Sequence, residues 1–271
     1  MKKRLMAAVL STAMAATMLL TGSISVQAAD AAAANDPAVE LIFTSVSVSG
    51  DSHTEAMYEF ADKVEELSGG SVTCKCYDNG SLFSSENEFD ALLNGDADLA
   101  YISFPTIATQ IPSYSMFASG YLFSSYEHMT SVLNGDIGLN KIRPQIEETL
   151  NIKPLSSFYL GSRVINTREK EINSYDDMNG LLLRMPNSEA WLFLGEALGA
   201  NPTPLSFSEL YTALQTGAVD AQDNPLPSIE SAKFYEVTKY IAITNHVVDS
   251  IMPCINGDTW NSMTEAQQEA V

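Results

Sequence analysis

Residues 206–225 read S-F-S-E-L-Y-T-A-L-Q-T-G-A-V-D-A-Q-D-N-P, and this stretch decides the fold. Ser206 and Glu209 have capping-box spacing, in which a hydroxyl and a carboxylate satisfy the free N–H groups that open a helix. Gly217 stops that helix, and a short apolar strand follows. The same order occurs once more upstream. Ser85 and Glu88 repeat the capping-box spacing, and residues 91–98, A-L-L-N-G-D-A-D, share the pattern A-L-x-x-G-x-x-D with residues 213–220. Helix–glycine–strand units are common in α/β proteins. Their repetition with caps and a shared aspartate is read as two lobes built to one plan. Asp98 and Asp220 hold equivalent positions, so a repeated structural role is expected of them.

Outward from this stretch, strands and helices alternate. Val39–Val46 reads as a strand. Glu55–Leu67 carries Met57, Phe60, Ala61, Val64 and Leu67 at helical spacing before Gly69-Gly70. Ser71–Tyr77 and Leu99–Ile102 read as strands, and Tyr126–Asn134 and Lys141–Leu150 as helices. The alternation predicts an α/β fold with mostly parallel sheets. In such folds binding sites gather at the carboxyl ends of strands, which between two lobes means the cleft.

The N-terminus carries an export signature. Lys2-Lys3-Arg4 precedes an apolar Leu5–Leu20 run, and Val26-Gln27-Ala28 ends in a small residue. Residues 1–28 are expected to be a signal peptide cleaved near Ala28, and residues 29–38 a flexible tether. The whole chain has a formal charge of −20, from 14 basic and 34 acidic residues. Losing three basic residues takes it to −23 (11 − 34). Such an acid chain repels nucleic acid and anionic lipid.

The remaining titratable residues exclude several chemistries. His53, His128 and His246 are far apart and lack metal-ligand spacing, so no metal site or cofactor is expected. Cys74 and Cys76 point to one face of a strand, and a bridge between them would be strained. Cys254 has no assigned partner. No G-x-S-x-G motif occurs, and no histidine falls between Arg184 and Pro225. Catalysis is therefore not expected, and no residue is assigned a catalytic role.

Residues 184–225 do carry a binding vocabulary. Arg184 closes the apolar run Leu181-Leu182-Leu183. It reads either as a structural ion pair or as a planar fork waiting for a carboxylate. Phe207 falls at a helix N-terminus, whose N–H groups and partial positive charge suit an anion. Asn224 is held extended by Pro225 and can both donate and accept.

Taken together, L-L-L-R-M-P at residues 181–186 and L-G-A-N-P-T-P-L-S-F-S-E-L-Y-T-A-L-Q-T-G-A-V-D-A-Q-D-N-P at 198–225 closely resemble a known family. It comprises the DctP-like solute-binding subunits of tripartite ATP-independent periplasmic (TRAP) transporters. Residues 68–88, G-S-R-V-I-N-T at 161–167 and D-D-M-N-G-L at 176–181 fit as well. The resemblance implies a two-lobed, periplasmic-binding-protein-like fold with a hinge. Lobe I would comprise residues 39–158 plus 246–271, and lobe II residues 159–245. A small organic acid would close between the lobes and pass to integral membrane subunits of the transporter, from a monomeric, extracytoplasmic protein. A receptor serving a sensor would share the same binding chemistry.

The resemblance also implies site residues. The family's carboxylate-binding arginine falls on Arg184, its ligand-contacting aromatic on Phe207 and its motif amide on Asn224. Arg163 matches a second arginine seen in many members. Ala221 and Asp223 replace the usual glycine and glutamate of the last motif. Ser103 stands where some members carry an acidic ligand residue. The family pattern continues beyond Val271, which is expected to lie inside a helix starting near Thr264, so the chain reads as a fragment.

Overall fold

The computed structural model describes residues 34–271. The expected signal peptide (residues 1–28) and the first part of the expected tether lie outside them.

The elements run β1 (Val39–Thr44), α1 (Ser52–Leu67), β2 (Val72–Tyr77), α2 (Glu88–Asn94), β3 (Leu99–Ile102), α3 (Phe104–Ile107), α4 (Tyr126–Leu133), α5 (Arg143–Leu150) and β4 (Ile152–Pro154). They continue with β5 (Phe158–Thr167), β6 (Leu182–Met185), α6 (Glu189–Ala197), β7 (Asn201–Pro204), α7 (Phe207–Thr216) and β8 (Ala221–Pro225). Last come α8 (Leu226–Ser231), β9 (Tyr240–Ala242), β10 (Val248–Asn256), α9 (Gly257–Ser262) and α10 (Glu265–Ala270). α10 begins just after Thr264, whose hydroxyl accepts from Gln267 N in a formed capping box.

The strands follow the order β2-β1-β3-β10-β5-β8-β6-β7, with β4 beside β10 and β9 beside β5. β1 is parallel to β2 and β3, and β6 is parallel to β7 and β8. Between these two parallel sets the pairing turns antiparallel, through β3–β10, β10–β5 and β5–β8. The expectation of mostly parallel sheets holds only at the flanks. The long strands β5 and β10 run between the halves in opposite directions, and each pairs on both sides.

Each half has its own cores. Leu92, Ile102, Met129 and Ile146 pack on one side of the first half, and Leu41, Phe43, Met57 and Leu99 on the other. In the second half Ile165, Leu183, Met185 and Trp191 pack on one face, and Val164, Leu210, Leu214 and Phe234 on the other. Two faces covered by helices is the arrangement that buries a parallel sheet.

The sequence repeat is structural. Gly95 ends α2 and Gly217 ends α7, both in left-handed conformation (φ 77° and 81°) that glycine adopts without strain. Asp98 N donates to Ile42 O, and Asp98 Oδ2 accepts from Ile42 N at 2.8 Å. Asp220 N donates to Leu182 O, and Asp220 Oδ2 accepts from Leu182 N at 3.0 Å. In each half the aspartate docks the strand leaving the helix onto the neighbouring parallel strand.

The two capping boxes are not formed. Ser206 is the N-cap of α7, but its hydroxyl donates to Glu209 Oε2 at 2.7 Å and accepts from no backbone N–H of the helix. α2 opens only at Glu88, with Asn87 as N-cap and no side-chain cap bond. Glu88 is then the first helical residue and points inward, only 5 % exposed. The three cysteines are free thiols.

Candidate functional site

A cavity of about 380 Å³ opens between the two halves, within the size range of small-molecule sites. The first half contributes the chain after β1, the start of α2 and the end of β3. The second contributes the ends of β6 and β8 and the start of α7, with β5 and β10 between. These are the carboxyl ends of the parallel strands, where side chains from several strands converge without interrupting the ladders.

All four residues singled out in the sequence line this cavity, but they stand in different chemical situations. Arg184 sits on β6 between Thr203 of β7 and Gln222 of β8 and is 2 % exposed. Its Nε donates to Leu205 O at 2.8 Å, its one hydrogen bond among the described residues. None of the ion pairs among the described residues involves it. Burial, followed by the neighbouring Arg163, pushes its pKa down to about 10, while Asp223 and Glu86 act in the other direction. It remains a cation at neutral pH, with its terminal nitrogens free of protein acceptors.

Arg163, on β5, is the opposite case. Its Nε and Nη2 donate to Asp223 Oδ2 and Oδ1, both at 2.8 Å, and its Nη1 to Asp249 Oδ2 at 2.7 Å. Nη2 also donates to Asp223 O, and the guanidinium lies 4.4 Å from the centroid of the Trp191 ring, a cation–π distance. The charge on Arg163 is taken up inside the protein. Burial opposes it, but Asp223 and Asp249 together raise its pKa above the ordinary value. Burial likewise opposes ionisation of Asp223, yet Arg163 and His246 hold its pKa well below the usual carboxylate range.

Asn224 is 6 % exposed at the end of β8. Its Nδ2 donates to Gln222 Oε1 at 2.6 Å, and its Oδ1 takes a long contact of 3.4 Å from Arg163 Nη2. Phe207 is half-buried as the first residue of α7, with its ring 5.9 Å from the Arg184 guanidinium and edge-on to Phe234. Its backbone N–H faces Ser85 Oγ of the other half at 3.4 Å. Ser103, at the end of β3, also lines the cavity.

Four further residues escaped the sequence reading. Asp249 and His246 complete the Arg163 cluster, with His246 Nε2 3.1 Å from Asp223 Oδ2. An aspartate inside the largely apolar run of residues 247–255 was the available signal for the first, whereas no local pattern marks the second. Trp191 packs in the core of the second half, yet its ring supports Arg163 and lines the cavity. Glu88 read as a helix cap. In place it is a buried acid on the cavity wall.

Among the described residues no cluster of three or more His, Cys, Asp or Glu side chains could hold a metal ion. No helix among them is long and apolar enough to cross a membrane.

Comparison with known proteins bears directly on this geometry. Residues 43–271 match the family model of bacterial extracellular solute-binding protein, family 7 (DctP). The chain is 34 % identical over 211 residues to the sialic acid-binding periplasmic protein SiaP of Vibrio cholerae, covering 78 % of this chain and 65 % of that protein. It is 26 % identical over 221 residues to the 2,3-diketo-L-gulonate-binding periplasmic protein YiaO of Escherichia coli, covering 82 % and 67 %. The chain thus spans about two thirds of the length of these curated relatives. Among solved structures, a TRAP periplasmic solute-binding protein from Roseobacter denitrificans with bound 3-deoxy-D-manno-oct-2-ulosonic acid superposes with a TM-score of 0.81 at 40 % identity, covering 86 % of this chain and 77 % of that one. The sugar acid-binding protein DctPAm from Advenella mimigardefordensis, in complex with galactonate, gives 0.83 at 29 % identity, covering 87 % and 76 %. The two-lobed architecture is the one these proteins share.

Proposed function

The chain belongs to bacterial extracellular solute-binding protein family 7, and from that membership we propose that it captures a small organic acid between its lobes and delivers it to the membrane subunits of a TRAP transporter. One observation carries the reading. Arg184 is a buried cation that lines an interlobe cavity and has no carboxylate among the described residues to pair with. Leaving a buried charge unpaired is expensive, and a bound carboxylate would remove that cost through two charge-assisted hydrogen bonds.

The other residues serve that grip. Phe207 walls the pocket beside the guanidinium, and Asn224 presents an amide to the ligand. Arg163, neutralised by Asp223 and Asp249, holds Asn224 and Trp191 in place and meets the ligand only along its remaining edge. The lobes are residues 39–158 plus 246–271 and residues 159–245. β5 and β10 form the hinge between them. The protein works as a monomer outside the cytoplasm after cleavage near Ala28. Names of relatives support an acid as cargo: sialic acid for SiaP and galactonate for the Advenella protein.

Calorimetric titration with a panel of organic acids, followed by small-angle scattering with the tightest binder, tests this. Micromolar binding, about −8 kcal/mol, with a fall in radius of gyration is expected, because a ligand that touches both lobes favours the closed population. If no acid binds, or if a saturating acid leaves the radius unchanged, the proposal fails.

A further inference from the structure

We propose that Cys74 and Cys76 together form a two-coordinate site for a soft monovalent cation, Cu(I), on the outer edge of the first half. The site is separate from the interlobe cavity, which neither residue lines.

β2 supplies the geometry. It pairs with β1 in unbroken parallel register, with Cys74 opposite Leu41 and Cys76 opposite Phe43, and it is the edge strand of the sheet. Residues two apart on a strand point to one face. Here that face packs with Met57 and Phe60 of α1, and the Cys76 Sγ lies 3.6 Å from Met57 O. Lys75 falls on the opposite face, where it pairs with Glu40. Both thiols are free and half-buried, and they lie within hydrogen-bonding reach of each other. Cys254 is fully buried on β10 and belongs to a different core.

Spacing separates the chemistries open to such a pair. Two residues of strand span about 6.6 Å, and their Cβ atoms stand off one face at a similar distance. A disulfide needs Cβ atoms about 3.5–4.5 Å apart, so closing one would buckle a strand that β1 holds along its whole length. An ion between the sulfurs needs no such approach. Two metal–thiolate bonds of about 2.3 Å each set the sulfurs roughly 4.6 Å apart when collinear, a separation that rotation about the two Cα–Cβ bonds supplies.

The surroundings select the ion. Thiolates are soft ligands and favour Cu(I). Zinc takes four ligands in structural sites, and among the described residues no group of three or more His, Cys, Asp or Glu side chains could hold a metal. The charged side chains that act on the pair, Asp62, Asp78 and Asp98, are all acids. They oppose bare thiolates, which disfavours a nucleophilic pair, and they favour a bound cation. Binding balances as one Cu(I) and two thiols giving a bis-thiolate complex of charge −1 and two released protons.

Anaerobic titration of the reduced full chain with Cu(I), against bicinchoninate as competing chelator, tests this. The chain should withdraw one copper per molecule from the chelator and remain a single chain in sedimentation. Cys74→Ser and Cys76→Ser should each weaken binding at least about a hundredfold, beyond the loss caused by removing an outer-shell partner. Thermal midpoints of the two variants separate ligand loss from misfolding. A measurement on the unaltered chain stands beside them: phenylarsine oxide, which bonds one arsenic to two thiols and releases water, should consume two thiols per chain and block copper uptake. Wild-type affinity in either serine variant overturns the proposal. So does one copper shared between two chains, copper uptake indifferent to phenylarsine oxide, or failure of the chain to compete with bicinchoninate.

Discussion

Arg163 and Asp223 hold each other through two parallel contacts, Nε to Oδ2 and Nη2 to Oδ1, both at 2.8 Å and both shut away from solvent. Asp249 closes on the remaining side of the guanidinium at 2.7 Å. The cluster thus ties β5, β8 and β10 together where the long strands pass from one half to the other. It also leaves Arg184, a neighbour of Arg163 within electrostatic reach, as the lining arginine without a counter-ion. One arginine is bound into the scaffold, and the other lines the cavity with no ion pair among the described residues.

Arg163→Ala should therefore act on stability before it acts on binding. It strands Asp223 and Asp249 in the interior, and breaking a buried pair in this way costs roughly 3–5 kcal/mol. Arg163→Lys should recover only part of that loss, because an ammonium cannot reproduce the fork on Asp223. Denaturant unfolding gives the free energies. A change under about 1 kcal/mol in the alanine variant would mean the cluster contributes no more than a surface pair.

Arg184→Ala should behave in the opposite way. Affinity for the cognate acid falls at least about tenfold, while the unliganded thermal midpoint holds or rises, because an unpaired buried charge has been removed. Calorimetry and a melting curve on the same sample separate the two effects. Unchanged affinity would place the carboxylate elsewhere.

The strength of each sequence signal explains what was legible beforehand. Helix stops at Gly95 and Gly217 and the paired aspartates Asp98 and Asp220 are local devices, set by backbone conformation and short spacing. They declared the two-lobed plan. Arg184 was visible because an arginine closing a leucine run is chemically out of place. The pairing of Arg163 was hidden, since Asp223 and Asp249 lie 60 and 86 residues away and no local pattern links them. Glu88 was misread because the helix starts two residues later than the capping-box spacing implies, with Asn87 and not Ser85 as its N-cap, and that shift turns the carboxylate from solvent to cavity.

Stability without ligand should carry a pH signature from Glu88. Its folded pKa is raised by burial, so the folded state holds the proton more tightly than the unfolded chain does. The stabilisation is fully present below the unfolded value of about 4.3 and is lost as pH climbs through the raised folded value. Glu88→Gln removes the titration, so its midpoint should pull ahead of wild type as pH rises above about 4.3. Parallel midpoint curves for the two proteins between acid and neutral pH would rule out a buried, titrating Glu88.

Asp98→Ala and Asp220→Ala should have kindred effects, one in each half. Each leaves a strand N–H, of Ile42 or Leu182, without its acceptor, at a cost of about 1–3 kcal/mol if that group stays dry. Asp98 should be the more costly site, because its Oδ1 also accepts from the Thr259 hydroxyl at 2.6 Å and the Leu182 contact is more exposed. Asparagine at either position keeps an acceptor oxygen and should recover most of the loss. Hydrogen exchange at the Ile42 and Leu182 amides reports each site separately.

Gly161→Ala should damage the junction between the lobes. Gly161 lies in β5 opposite Asp249, where the β10 register slips by a bulge, and its φ is +135°, a conformation costly for any residue with a side chain. A Cβ there would meet Pro225 Cβ at 2.4 Å, and Pro225 immediately follows Asn224. The strained backbone and the clash together should cost at least about 2 kcal/mol. Relief by moving Pro225 would drag Asn224 with it, so ligand affinity should fall as well. A variant that unfolds at the wild-type midpoint and binds with wild-type affinity would show that this crossing tolerates a side chain and that neither strand is held by the close approach.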